Sequence, residues 1–229
     1  MIKLNNELFD PADVVHALQD HVTPVRLQKI RDVVAKRNNF LATVVENLYD
    51  RGNTSAVMRS SEAFGFHQFH HIESIEQFKE SKRVTKGADK WLMQNKWPNT
   101  TDCISHLKKQ GYAIYVTQLE GGKPIEELSF EKPVALCFGS ERDGASKELS
   151  SLADEKVYIP MDGFVQSFNI SVAAALCFQH IHRIHKSLKL GLLSPQERTA
   201  LEAHYLYRSC QNPTPHLQKA KTQDIVTKS

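Results

Sequence analysis

Three segments of the chain gather polar side chains and glycine at spacings that suit chemistry on a bound ligand. The first is Asn53-Thr-Ser-Ala-Val-Met-Arg59 and the second Phe138-Gly-Ser-Glu-Arg-Asp-Gly144. The third is Ile159-Pro-Met-Asp-Gly-Phe-Val-Gln-Ser-Phe-Asn-Ile-Ser-Val-Ala-Ala-Ala175. Arg59 offers a guanidinium that stays protonated in proteins, suited to an anion or to a developing negative charge. Asn53 and Asn169 add amides, Glu141 a carboxylate and Ser167 a hydroxyl. Each residue also has an ordinary structural use: Asn53 as a helix cap, Arg59 as a surface or ion-pairing residue, Ser167 and Asn169 as caps, the glycines as tight turns. Other chemistries are disfavoured. Ser167 has no evident histidine base for a serine hydrolase. Glu141 and Asp143 without a saccharide-like cleft make no case for glycoside hydrolysis. His67, His70 and His71, or His180, His182 and His185, lack the cysteine or carboxylate spacing that completes a metal site, so no metal is expected.

The elements that must position these segments alternate between strand and helix. Thr23-Pro24 predicts a helix from about Val25 to Asn38, with Leu27, Ile30 and Val34 at helical spacing. A buried strand follows from Leu41, then the turn Tyr49 to Asn53, with Asn53 capping a helix from Thr54 to Phe64 that Gly65 stops. A strand from Gln68 to Ile72 leads into a polar stretch, Glu73 to Asn99, which carries Lys79, Lys82, Arg83, Lys86 and Lys90 together with Trp91 and Trp97. Next come a helix from Thr100 to Gln110, strands Tyr112–Thr117 and Val134–Phe138, a short helix to Ala153 and a strand Lys156–Ile159. A long helix spans Ser167 to Leu190, with Ala173, Ala174 and Ala175 allowing close approach to a neighbour. Ser194-Pro-Gln-Glu197 is a capping box that opens a last helix to Arg208, and the tail after Gln211 should be loosely ordered. This alternation implies an α/β fold with a mainly parallel sheet covered on both faces. In such sheets ligands bind beyond the carboxyl ends of the strands, where all three segments begin.

Composition sets the bounds. With 229 residues, 41% of them hydrophobic, the chain fits one large domain with appendages. No run approaches the roughly 18 apolar residues of a membrane span, and the start lacks the pattern of a secretory signal, so a cytoplasmic protein is expected. Cys103, Cys137, Cys177 and Cys210 are too scattered for a disulfide framework or a zinc site. The formal charge of +3 permits an anionic partner without requiring one.

Taken in order, the three segments resemble the three motifs of the SPOUT RNA methyltransferases, in the TrmH/SpoU branch that methylates ribose 2′-hydroxyls. The resemblance runs from about Leu41 to Leu190. It implies a Rossmann-like sheet whose C-terminal segment forms a deep trefoil knot around the site of S-adenosyl-L-methionine, with S-adenosyl-L-homocysteine as product. It places Arg59 as the catalytic arginine, Asn53 and Glu141 as groups that orient it and the substrate, and Ser167 and Asn169 near the methyl and the RNA phosphate. Phe168 and Ile170 stand where the family commonly has leucine and valine. Cofactor contacts are implied at Thr117, Gly139, Ile159, Met161 and Phe168. The division implied is a helical extension over 1–40, a catalytic domain over 41–190, and a helical extension with tail over 191–229. Extensions in place of a separate RNA-binding domain favour guanosine 18 in the D-loop of tRNA as substrate. Ribosomal RNA, or RNA binding without catalysis, are the alternatives. Arg26, Lys29, Arg31, Lys36 and Arg37 are then candidate phosphate contacts, Arg198 and Arg208 further ones, and a homodimer is expected. Trp91 and Trp97 fit either base stacking or core anchoring.

Overall fold

A computed structural model describes residues 1–74 and 82–219, so Lys79 lies outside the described residues. Met1–Arg37 with Leu193–Ser229 form one compact unit and Asn38–Leu192 another.

The first unit starts with a hairpin, β1 (Ile2–Leu4) and β2 (Glu7–Phe9), paired antiparallel. Its turn is Asn5-Asn6, with φ of 47° and 66°. Asparagine tolerates this left-handed region, which a two-residue hairpin turn requires. Helices α1 (Pro11–Leu18) and α2 (Pro24–Val34) both place proline at the first turn, after Asp10 and Thr23, whose side chains accept from the Ala12 and Arg26 N–H groups. The second helix stops at Val34, short of the expected Asn38.

The second unit runs β3 (Asn38–Glu46), α3 (Arg51–Ala63), β4 (Phe66–Ile72), α4 (Lys82–Thr85), β5 (Met93–Trp97), α5 (Thr100–Lys109), β6 (Ala113–Thr117), β7 (Lys123–Pro124), β8 (Val134–Phe138), α6 (Lys147–Leu152), β9 (Glu155–Tyr158) and α7 (Ile170–Leu188). Its sheet has the order β5-β4-β3-β8-β6-β9-β7, and every described pairing is parallel. The α/β expectation holds. Interior strand β3 shows why: Leu41 and Val45 join the core containing Phe178 and Ile181 of α7, while Ala42 and Val44 join the core containing Ile104 and Leu107 of α5. Both faces are buried, so the strand is an apolar run and not an alternating one. The chain then returns to the first unit as α8 (Pro195–Ser209), whose capping box forms as the residues suggest, and α1 and α2 pack on it.

Two further expectations fail. The polar stretch contains a strand, β5, at the sheet edge, and Trp97 at its end donates its indole N–H to His70 at 3.0 Å. That assigns Trp97 to anchoring. The tail after Gln211 is helical over residues 213–219 and buries Leu217, because Pro213 can open a helix as readily as end one.

Candidate active site

A cleft of about 650 Å³ opens beyond the carboxyl ends of β6, β8 and β9. Three loops wall it. The loop after β6 begins with Thr117, whose hydroxyl is turned inward to the Cys137 carbonyl at 3.2 Å.

The loop after β8 is a closed hairpin. Ser140 and Gly144 exchange backbone hydrogen bonds of 2.9 and 3.0 Å, and Gly144 takes φ of 70°. A Cβ on Gly139 would lie 2.1 Å from the Ala145 nitrogen, so only glycine lets the loop fold back this tightly. Glu141 rides at its apex and Ser146 caps α6. The β9–α7 loop carries Ile159, Met161, Ser167 and Phe168 past the cleft and ends at Asn169, the cap of α7, which accepts from the Ser171 N–H. Helix α7 thus begins at Ile170 and not at Ser167, which stays in the loop, exposed on the cleft wall.

The N-terminus of α3 corrects another expectation. Asp50 is the cap, accepting the Asn53 N–H at 2.8 Å. Both residue types cap well, and Asp50 takes the position that closes the first turn. Asn53 is thereby released from capping. Its Nδ2 donates to Glu141 Oε1 at 3.1 Å, and its Oδ1 accepts from Asn169 Nδ2 at 3.1 Å. Glu141 Oε2 also accepts the Tyr49 N–H, and the Arg142 guanidinium lies 5.3 Å from the centre of the Tyr49 ring. Asn53, Glu141 and Asn169, one from each motif, form a continuous polar chain on the cleft wall.

Arg59 is apart from it. It is exposed on α3 and does not line the cleft. Six residues of helix carry it about 9 Å along the axis from Asn53 and about a third of a turn round. The buried thiols offer no nucleophile: burial pushes Cys103 and Cys177 up to about 12, aided by the charges of Glu46 and Glu126 respectively, and pushes Cys137 well above the ordinary thiol range. Among the described residues no group of histidine, cysteine or carboxylate side chains could hold a metal. No helix is long and apolar enough to cross a membrane among them.

The basic set of the first unit divides. Arg26, Lys29, Arg31 and Lys36 are exposed, with Arg31 paired to Glu202 at 2.8 Å. Arg37 is buried, its guanidinium 5.7 Å from the Tyr205 ring centre, so it does not share the exposed face expected of it. Because α2 ends early, Arg37 falls in the turn before β3 rather than on the helix surface. Arg198 donates to the Leu193 carbonyl, and burial lowers the Arg208 pKa. The residues that motif reading missed are Asp50 and Tyr49, which fix Asn53 and Glu141. Asp50 was discernible as a capping residue three positions before Asn53. The hydrogen bond from the Tyr49 backbone leaves no mark in residue type.

Residues 41–179 match the model of the SpoU rRNA methylase family. This chain belongs to that family. This SpoU methylase is 34% identical over 200 residues to the tRNA (guanosine(18)-2'-O)-methyltransferase of Borreliella burgdorferi, covering 86% of this chain and 92% of that one. It is 33% identical over 171 residues to the Thermus thermophilus enzyme of the same name, covering 74% and 87%. The crystal structure of the A. aeolicus TrmH/SpoU tRNA modifying enzyme matches it with a TM-score of 0.76 at 27% identity, over 82% of this chain and 98% of that one.

Proposed function

We propose that this SpoU methylase transfers the methyl group of S-adenosyl-L-methionine to the ribose 2′-hydroxyl of guanosine 18 in the D-loop of tRNA. The observation that carries the reading is the polar chain Glu141–Asn53–Asn169 on the wall of the cleft, in a family whose similar members bear that activity as their name. The wall fits the cofactor: Phe138, Ile159, Met161 and Phe168 supply apolar surface, the 139–145 loop supplies peptide groups, and Glu141 and Asp143 supply carboxylates suited to a sulfonium cation. Thr117 and Gly139 complete the contacts assigned to it. Bound there, the cofactor supplies a methyl group already activated for transfer.

The chain's own task is to hold the ribose oxygen in line and to favour loss of its proton. Asn53 fixes Glu141 and Asn169 relative to each other, so the oxygen meets a preset array of donors and acceptors. Ser167, on the same wall, faces the reacting ribose. Arg59 meets the RNA phosphate through its planar fork and so places the ribose over the cleft. Because a guanidinium stays protonated, its part is electrostatic and positional, and the RNA bridges it to the cleft. Arg26, Lys29, Arg31 and Lys36 add phosphate contacts.

The proposal includes a homodimer in the cytosol. Phe164, Val165, Phe168, Val172 and Leu176 are all exposed, and the last two stand one turn apart on α7. A second copy of this chain covers such a patch. It also includes a trefoil knot in the segment that contributes the last two loops of the cleft. Incubation with labelled cofactor and either total tRNA or ribosomal RNA, followed by mapping of the modified nucleotide, tests the substrate. Label on guanosine 18 of tRNA is expected. Label confined to ribosomal RNA, or none, overturns the reading.

A further inference from the structure

The loop that bears Glu141 is held from behind by a residue outside the polar chain on the cleft wall. Glu46 ends β3 on the α5 and α6 face of the sheet and is 3% exposed. Its Oε1 accepts the Thr100 hydroxyl at 2.7 Å and the Ser146 hydroxyl at 2.8 Å, and its Oε2 accepts the Ser146 N–H at 2.8 Å. A carboxylate this buried persists only when its lone pairs are met, and here the donors come from two different helix starts. Thr100 opens α5 and plays no part in the cleft. Ser146 follows directly on the hairpin Ser140–Gly144, and its Oγ also accepts the Leu149 N–H.

The hairpin is bound to itself at Ser140 and Gly144 and packs on Gly139, so it moves as one piece. One end of that piece continues from β8, which is fixed in the sheet beside β3. Glu46 ties down the other. With both ends fixed to neighbouring strands, Glu141 at the apex meets Asn53 and the Tyr49 N–H in register.

Resting on the methyl-transfer reading, we infer that Glu46 is a positioning residue for that reaction: it sets the pose of the 139–146 loop and thereby the cofactor wall and Glu141. The ordinary alternative is a structural clamp that merely joins α5 and α6 to the sheet. The two differ in what they change. A clamp affects melting alone, whereas a positioning residue affects cofactor affinity and turnover beyond any loss of stability.

Thr100→Val removes the donor on the α5 side and leaves both Ser146 bonds in place. Glu46→Gln keeps the volume and an oxygen for the Ser146 N–H, but loses the charge and forces both hydroxyls to reverse their roles. Glu46→Ala removes all three bonds. Melting temperature, calorimetric affinity for S-adenosyl-L-homocysteine, and kcat and KM for tRNA are measured for each. Thr100→Val should melt lower while holding cofactor-product affinity and kcat near native values. Glu46→Gln should weaken S-adenosyl-L-homocysteine about fivefold and lower kcat about tenfold, with KM for tRNA little changed, and Glu46→Ala should do more of both. If the alanine variant does not fold, the glutamine variant carries the test. Native affinity and kcat in Glu46→Gln, or an equal loss of affinity in Thr100→Val, overturns the inference. A native protein that binds S-adenosyl-L-homocysteine but methylates no tRNA overturns the functional reading alone, since Glu46 is still tested by the binding measurement. One that does not bind it overturns both.

Discussion

Asn53 and Arg59 share a helix but differ in how they are held. Asn53 is fixed through both ends of its amide, to Glu141 and to Asn169, within hydrogen-bond distance of residues from two distant loops. Arg59, farther along α3, stands exposed, and among the described residues no hydrogen bond or ion pair fixes its guanidinium. The first belongs to a site assembled before any ligand arrives, with its ordering entropy already met in folding. On the proposed reading, the second holds its long side chain ready for a phosphate of the RNA. A methyltransferase acting on a large polyanion has use for both arrangements.

Arg59→Lys tests the exposed half most severely. Lysine keeps the charge and loses the planar fork, so kcat should fall on the order of 100-fold or more while S-adenosyl-L-homocysteine affinity stays native. Near-native turnover would remove Arg59 from the mechanism and leave the preassembled half to account for all the chemistry. The held half should respond differently. Asn53→Ala cuts both links of the chain, so turnover should drop about tenfold or more and cofactor-product affinity should weaken with it. Combined with Asn169→Ala in a double-mutant cycle, the two losses should be less than additive, because the first substitution already releases the second residue. Additive losses would mean that the chain is a set of independent contacts.

The same contrast marks how far residue order reveals the site. Strands β3, β4, β6, β8 and β9, most helices and the three loops were readable because β-branched runs, caps and glycine stops are local signals. Asn5-Asn6 and Asp10-Pro11 are equally local, a hairpin turn and a helix start like that at Thr23-Pro24, but the three-residue strands and eight-residue helix they join are too short to show a hydrophobic period. Edge strand β5, Met-Gln-Asn-Lys-Trp, has too little apolar content to announce itself, since its residues alternate between half-buried and exposed and none is fully buried. At the site, residue types identified Asn53, Glu141 and Asn169, but their mutual bonding depends on tertiary contacts that spacing cannot encode. Arg37 is the converse: charge type suggested a phosphate contact, and packing against Tyr205 makes it part of a core.

That distinction predicts opposite outcomes within one basic stretch. Replacing Arg26, Lys29 and Lys36 together with glutamine should weaken tRNA binding and reduce the magnitude of its log–log salt slope by about 2, at somewhat under one counterion per phosphate contact. Arg37→Gln should instead lower the melting temperature and leave the slope unchanged. An equal slope change from Arg37 would show that its buried position opens when RNA binds.

The smallest effect on turnover is expected where polar groups serve the fold alone. His70 is buried beside Trp97, its Nδ1 accepting the indole N–H at 3.0 Å. Burial, followed by the nearby His106 and His71, lowers its pKa to about 3. In the unfolded chain the imidazole takes a proton near its ordinary value of 6.5, so between that value and about 3 the unfolded state binds more protons than the folded one. Stability from His70 is therefore complete above pH 6.5 and declines as pH falls through that window. Protonation also removes the acceptor that Trp97 needs, which gives the penalty a structural target. His70→Asn retains a side-chain acceptor that does not titrate in this range. Its melting temperature should fall less between pH 7 and pH 5 than that of the native protein, with methyl transfer at pH 7.5 near the native rate. An unchanged pH slope would assign the acid sensitivity to other buried groups, with His204 the first to examine because burial and Arg208 lower its pKa to about 4. A large loss of methyl transfer would instead extend the preassembled site to the β4–β5 edge of the sheet, and with it the contrast drawn between Asn53 and Arg59.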